Sequence, residues 1–201
     1  VKKLVYVSIL LATSWAVPES ALAHVPFAGL NDLYNGLLHP VVVPAHLLLL
    51  AAAGLFLGKQ GSRVVPPAFL LFCLSTFSGL VATLVFTAGI GERYLLGVAA
   101  VIGLLIAANL RIPFFLCVIV ALLTGLLLGL DSTQTEMAGR ARFFSLLGSG
   151  LGLCFLFLYP LSFADYFRDK SWQNIGVRIV GSWVAASALL VLALTLQPPV
   201  G

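Results

Sequence analysis

Charge is scarce in this chain. Asp, Glu, Lys and Arg together make up 9 % of its 201 residues, where a soluble domain carries roughly a quarter. Hydrophobic residues make up 61 %, more apolar surface than a water-soluble fold of this size can hide. They are bunched into runs of bilayer-spanning length rather than short amphipathic patterns. Also missing is any G-x-x-x-x-G-K-[ST] run, so the chain does not itself hydrolyse ATP through that motif. Cysteine is limited to Cys73, Cys117 and Cys154, each inside an apolar run and none in a C-x-x-C. That argues against a disulfide framework and for buried thiols acting as small hydrophobes. No large soluble segment is present to house ordinary catalysis, so an enzyme is not expected. The net charge of +4 is small and two of its lysines are Lys2 and Lys3. It reflects the side of a membrane that the loops face, and no nucleic-acid partner is expected.

What remains predicts an all-α polytopic membrane protein, with six transmembrane helices after a cleavable signal peptide. Lys2 and Lys3 give a positive n-region and Leu4 to Val17 an apolar h-region. Ala21-Leu22-Ala23 gives a small-x-small cleavage site. Residues 1–23 are therefore expected to be a leader and 24–201 a six-helix domain, with His24 as the mature amino terminus. Spans are expected near 40–58, 64–88, 95–110, 114–130, 143–163 and 178–197. The tight Arg111-Ile112-Pro113 turn predicts that the third and fourth spans form a helical hairpin. With the mature amino terminus outside, inner loops hold Lys59, Arg63, Arg111, Arg168, Lys170 and Arg178. Outer loops hold Arg93, Arg140 and Arg142, and that bias agrees with a cytoplasmic side for the richer set. The expected location is a bacterial inner membrane, with both mature termini periplasmic.

Polar groups inside a bilayer are costly, so each is a functional candidate. His39-Pro40 opens the first span and His46 follows two turns on, about 10 Å deeper on a straight helix. Pro44 between them removes a helical hydrogen bond. Either the histidines are successive stations on a path or the distortion lets them approach. Glu92 and Asp131 are expected at the same outer face. Imidazoles with carboxylates suit a borderline divalent ion such as nickel, zinc, copper or cobalt, and a terminal His24 could chelate through its amine and imidazole. Ordinary alternatives are solvated loop acids for Glu92 and Asp131, and an interfacial cap for His39. Thr76, Thr83 and Thr87 in the second span, with Thr124 in the fourth, are path-lining candidates, against hydroxyls bonded to their own backbone. Gly125-x-x-x-Gly129 and Gly148-x-x-x-Gly152 predict close helix packing.

At the histidines the sequence resembles the HupE/UreJ family, small membrane proteins associated with nickel supply to hydrogenase and urease. The family's His-Pro-x-x-Gly-x-Asp-His run falls on His39-Pro40-Val41-Val42-Val43-Pro44-Ala45-His46, with the glycine become Val43 and the aspartate Ala45. A second run, similar to His-Gly-x-x-His-Gly-x-Glu, falls on Thr124 to Asp131. Its glycines survive as Gly125 and Gly129, its acid as Asp131, and its histidines are replaced by Thr124 and Leu128. The resemblance implies a transported divalent metal ion, nickel first, with cobalt, copper or zinc as alternatives, and no permanently bound cofactor. Implied partners are membrane lipid, a homo-oligomer or metalloenzyme maturation proteins. The competing class is a non-transporting membrane scaffold of a maturation system. A haem anchor fits poorly, since histidines seven apart on one helix cannot both ligate one iron.

Overall fold

In a computed structural model, residues 30–85, 89–134, 137–168 and 171–196 are described. The expected leader, His24, Thr87, Lys170 and the last five residues lie outside them. Every regular element among the described residues is helical. Along the chain they are α1 (Asp32–Val42), α2 (Pro44–Lys59), α3 (Val65–Ala82), α4 (Glu92–Ala107), α5 (Phe114–Asp131), α6 (Gly139–Tyr166) and α7 (Ser171–Thr195). Four of these, α3, α5, α6 and α7, are long and apolar enough to cross a membrane. The bent pair α1–α2 would be a fifth crossing if taken as one span.

The first expected span is thus two helices, meeting at 72°. The cause is local. A residue before proline is pushed out of the α region, and Val43, before Pro44, is extended at φ −96° and ψ 105°. Pro44 then opens α2, where a missing N–H costs nothing. Upstream, Asn31 caps α1 by accepting from the Tyr34 N–H at 3.1 Å. Pro40 inside α1 leaves the Gly36 carbonyl, four residues back, without its helical donor. The Ser149 hydroxyl of α6 donates to it instead, at 3.2 Å.

Buried on nearly every side, α2 runs through the centre of the bundle, as an all-round apolar helix should. It packs on α4 and α6, and its Gly54 and Gly58 admit Pro160, Leu161 and Ala164 of α6. Both small-residue pairs work as expected. A Cβ at Gly125 or Gly129 would strike backbone carbonyls of Phe72 and Thr76 in α3, and one at Gly148 or Gly152 would strike those of Leu33 and Leu37 in α1. Between α3 and α6 the Phe72 and Phe157 rings stack at 3.9 Å.

The expected hairpin of the third and fourth spans is not formed. Instead α4 lies on α7, where Gly103 meets Gly181 and Ala185, while α5 lies on α3. Small residues select those partners because they let backbones approach. The turn between α4 and α5 is held open by Gln60, whose amide donates to the Leu110 carbonyl and accepts from the Ile112 N–H, each at 3.2 Å. Asn109, at φ 58°, supplies the left-handed residue that ends α4.

Candidate functional site

The break at Val43 determines what the histidines can do. His39 sits in the last turn of α1 and His46 in the first turn of α2. Their ring centroids are 5.6 Å apart, edge to face. The 10 Å depth difference expected for a straight helix is therefore overturned, because the chain folds at Val43 and brings the rings together.

At 0 % exposure, His46 is fully buried. Its Nε2 lies 3.0 Å from Oδ2 of Asp131, the last residue of α5. The other carboxylate oxygen, Oδ1, accepts from the Gly91 N–H at 3.0 Å. Gly91 adopts φ 86°, a left-handed conformation that glycine takes without strain, and so turns its N–H toward the acid just before α4 begins. Asp131 is thus gripped by one backbone amide and one imidazole from two other elements. His39 lies against the same cavity, with its ring edge to face with that of His46.

This pairing fixes the proton arrangement of a neutral His46. A carboxylate only accepts, so Nε2 carries the hydrogen and Nδ1 keeps its lone pair. That Nδ1 is buried and has no protein hydrogen-bond partner among the described residues. An unsatisfied buried polar atom costs about 1–3 kcal/mol, so this nitrogen calls for a partner from the cavity, water or ion. An imidazole whose N–H is held by a carboxylate, with the lone pair of its other nitrogen unused, is the arrangement that orients histidines toward metal ions.

Around the pair is a cavity of about 250 Å³, lined by His39, Val43, His46, Gly89, Gly91, Glu92, Asp131 and Thr133. It brings together four of the expected site residues: His39, His46, Glu92 and Asp131. Glu92 lines it from an exposed position, without joining the histidine–aspartate contact. Among the described residues no three His, Cys, Asp or Glu side chains converge tightly enough to cage an ion. His24 and Thr87 lie outside the described residues. Thr76, Thr83 and Thr124 are buried but are not among the residues lining this cavity. Thr83 donates to its own helix at Leu80, and Thr76 packs against Gly125.

Sequence reasoning missed Thr133 and the Gly89-Ile90-Gly91 approach to α4. It also missed α1 as a separate helix, although the Val43-Pro44 pair carried a signal for the break.

Compared with known proteins, residues 11–191 match the family model described as HupE / UreJ protein. No curated protein and no solved structure matches.

Proposed function

We propose that this chain, which belongs to the HupE/UreJ family, passes divalent transition-metal ions across the bacterial inner membrane, nickel being the first expected cargo. The family is one of membrane accessory and transport proteins associated with nickel or cobalt, not of enzymes. One observation carries the proposal: His46 is buried, bound through Nε2 to Asp131, and left with an Nδ1 that has no protein partner among the described residues, in the lining of a cavity shared with His39 and Glu92. Imidazole nitrogen suits nickel, cobalt, copper and zinc alike. With His39 alongside, an arriving ion exchanges water for imidazole and is held by few ligands. That suits conduction, where binding must be weak enough to let the ion leave. A divalent cation moving inward at 100 mV gains about 4.6 kcal/mol, from 2.3 per charge, so no ATP is needed.

Six crossings after a cleaved leader, with both mature termini periplasmic, fit this role. The cavity end of the bundle carries Glu92 and Asp131 together with Arg93, Arg140 and Arg142, while Lys59, Arg63, Arg111, Arg168 and Arg178 belong to the opposite end. Positive charge accumulates on the cytoplasmic side, so the cavity opens outward. At 16 residues each, α2 and α4 are about 24 Å long, against a hydrocarbon core of about 30 Å. With their cationic ends at the inner interface, His46 is recessed below the outer one. Reporter fusions after Arg63, Arg111 and Lys170 should therefore report cytoplasm, and fusions after Glu92 and Glu136 periplasm. A reversal within that series overturns the arrangement.

Transport itself is tested with the purified full chain in sealed vesicles, with nickel, cobalt, copper or zinc outside and an inside-negative potential. Accumulation should exceed that of protein-free vesicles for nickel, and the ranking of the four ions identifies the cargo. Uptake at the protein-free rate for all four overturns the transport reading. It would favour the membrane scaffold of a maturation system, for which the lack of a three-ligand cage among the described residues speaks.

A further inference from the structure

At the end of the bundle away from the cavity, two cations from two helices donate to the last carbonyls of α4, and a third lies in the turn that follows. Lys59, only 7 % exposed, donates to the Ile106 carbonyl at 3.2 Å. Arg178 donates through Nε to the Ala107 carbonyl at 2.9 Å. Arg111 follows in the turn, and Gln60 pins the backbone on both sides of it, at Leu110 and Ile112. Arg111 and Arg178 are close enough that both charges repel that of Lys59. Among the described residues the ion pairs are His46 with Asp131 and Arg168 with Asp165, so none of these three cations meets a carboxylate.

A helix C-terminus supplies the equivalent of about half a negative charge, which does not neutralise three. Withdrawing an ammonium from water without a counter-ion costs several kcal/mol, and two neighbouring guanidinium groups add to that cost. An anion is the missing component. The surface beside the cluster indicates its form, since α4 and α7 present Leu104, Ile175, Ile179 and Trp183 as exposed apolar side chains, with Leu110 in the turn. A ligand that is anionic at one end and apolar along the rest satisfies both parts, whereas free phosphate satisfies only the first.

We propose that Lys59, Arg111 and Arg178 form a site for the headgroup of an anionic phospholipid, whose acyl chains lie along the outer faces of α4 and α7. Basic pockets between spans at the cytoplasmic side bind such headgroups. The Gln60 clamp gives this one a fixed shape, since it holds the Arg111 turn against the end of α2. The bound phosphate would tie α2, α4 and α7 together at their inner ends.

Native mass spectrometry of the full chain, released from micelles with equal phosphatidylglycerol and phosphatidylcholine, tests the assignment. Retained phosphatidylglycerol should exceed phosphatidylcholine at least about tenfold, and Arg111→Gln with Arg178→Gln should remove that preference. Both arginines are exposed, so the double variant keeps the buried Lys59 contact and its folding is checked by its thermal midpoint in detergent. Arg140→Gln, an exposed arginine at the start of α6 near the opposite end, should leave the preference intact. Inorganic phosphate at the same concentration should not displace the lipid. Equal retention of both lipids overturns the proposal and leaves an acidic protein surface as the counter-charge. Full displacement by phosphate overturns it in favour of a free-anion site. An unchanged preference in the double variant, or an equal loss in Arg140→Gln, also overturns it. None of these outcomes depends on metal uptake.

Discussion

Replacing His46 by alanine should bring metal uptake down to the protein-free rate while the protein remains in the membrane. Among the described residues that line the cavity, the imidazole supplies a buried nitrogen that has no protein partner, and alanine offers no ligand in its place. Insertion should survive, because alanine is accommodated in an apolar helix at little cost and α2 is held elsewhere by its glycine contacts with α6. The stranded Asp131 carboxylate keeps the Gly91 N–H, and its free oxygen can take water from the cavity. His39→Ala should lower uptake less. Its ring is half-buried at the end of α1, and water with Asp131 can cover part of an entrance role. The measurement is initial uptake rate in vesicles, normalised to inserted protein by immunoblot. Uptake by His46→Ala at the unmodified rate would mean that the histidine is structural and that the ion passes the chain by another route.

The helical class and most helix positions were legible in the sequence because apolar runs of fixed length leave few alternatives. The fourth span, expected at 114–130, is the helix Phe114–Asp131. The glycine pairs were legible too, since a missing Cβ is the condition for backbone approach. Helix pairing was not. A short turn at Arg111 points to a hairpin by chain length alone, whereas Gly103 against Gly181 decides that α4 goes to α7. Nothing in the linear order carries that preference.

The site was half legible. His39, His46 and Asp131 were named from residue type and from the resemblance, but a straight-helix rise separated the two rings. The 72° bend that closes the gap follows from Val43 being forced extended before Pro44. The family resemblance also pointed to a lost carboxylate at Ala45. That residue is fully buried in the core, and the acid that touches His46 comes from α5 instead. Such a contact, across 85 residues of sequence, has no local signature.

The exchange of Asp131 for asparagine tests the proton arrangement of the site rather than its shape. Asparagine has nearly the same volume, and its carbonyl oxygen can still accept from the Gly91 N–H. Its NH2 group then faces His46 Nε2. Two donors cannot bond each other, so the imidazole should change tautomer, placing the hydrogen on Nδ1 and turning Nε2 into the acceptor. The lone pair offered to an arriving cation disappears, and so does the negative charge that favours its entry. Loss of a carboxylate that orients a metal-binding histidine costs about 10–100-fold in affinity or activity, and uptake should fall by that order. Nitrogen NMR of the histidine-labelled chain should show the protonated position move from Nε2 to Nδ1. A role in packing alone would not produce that change. Uptake at the unmodified rate with the tautomer switched would show that Nδ1 of His46 is not the atom the ion meets.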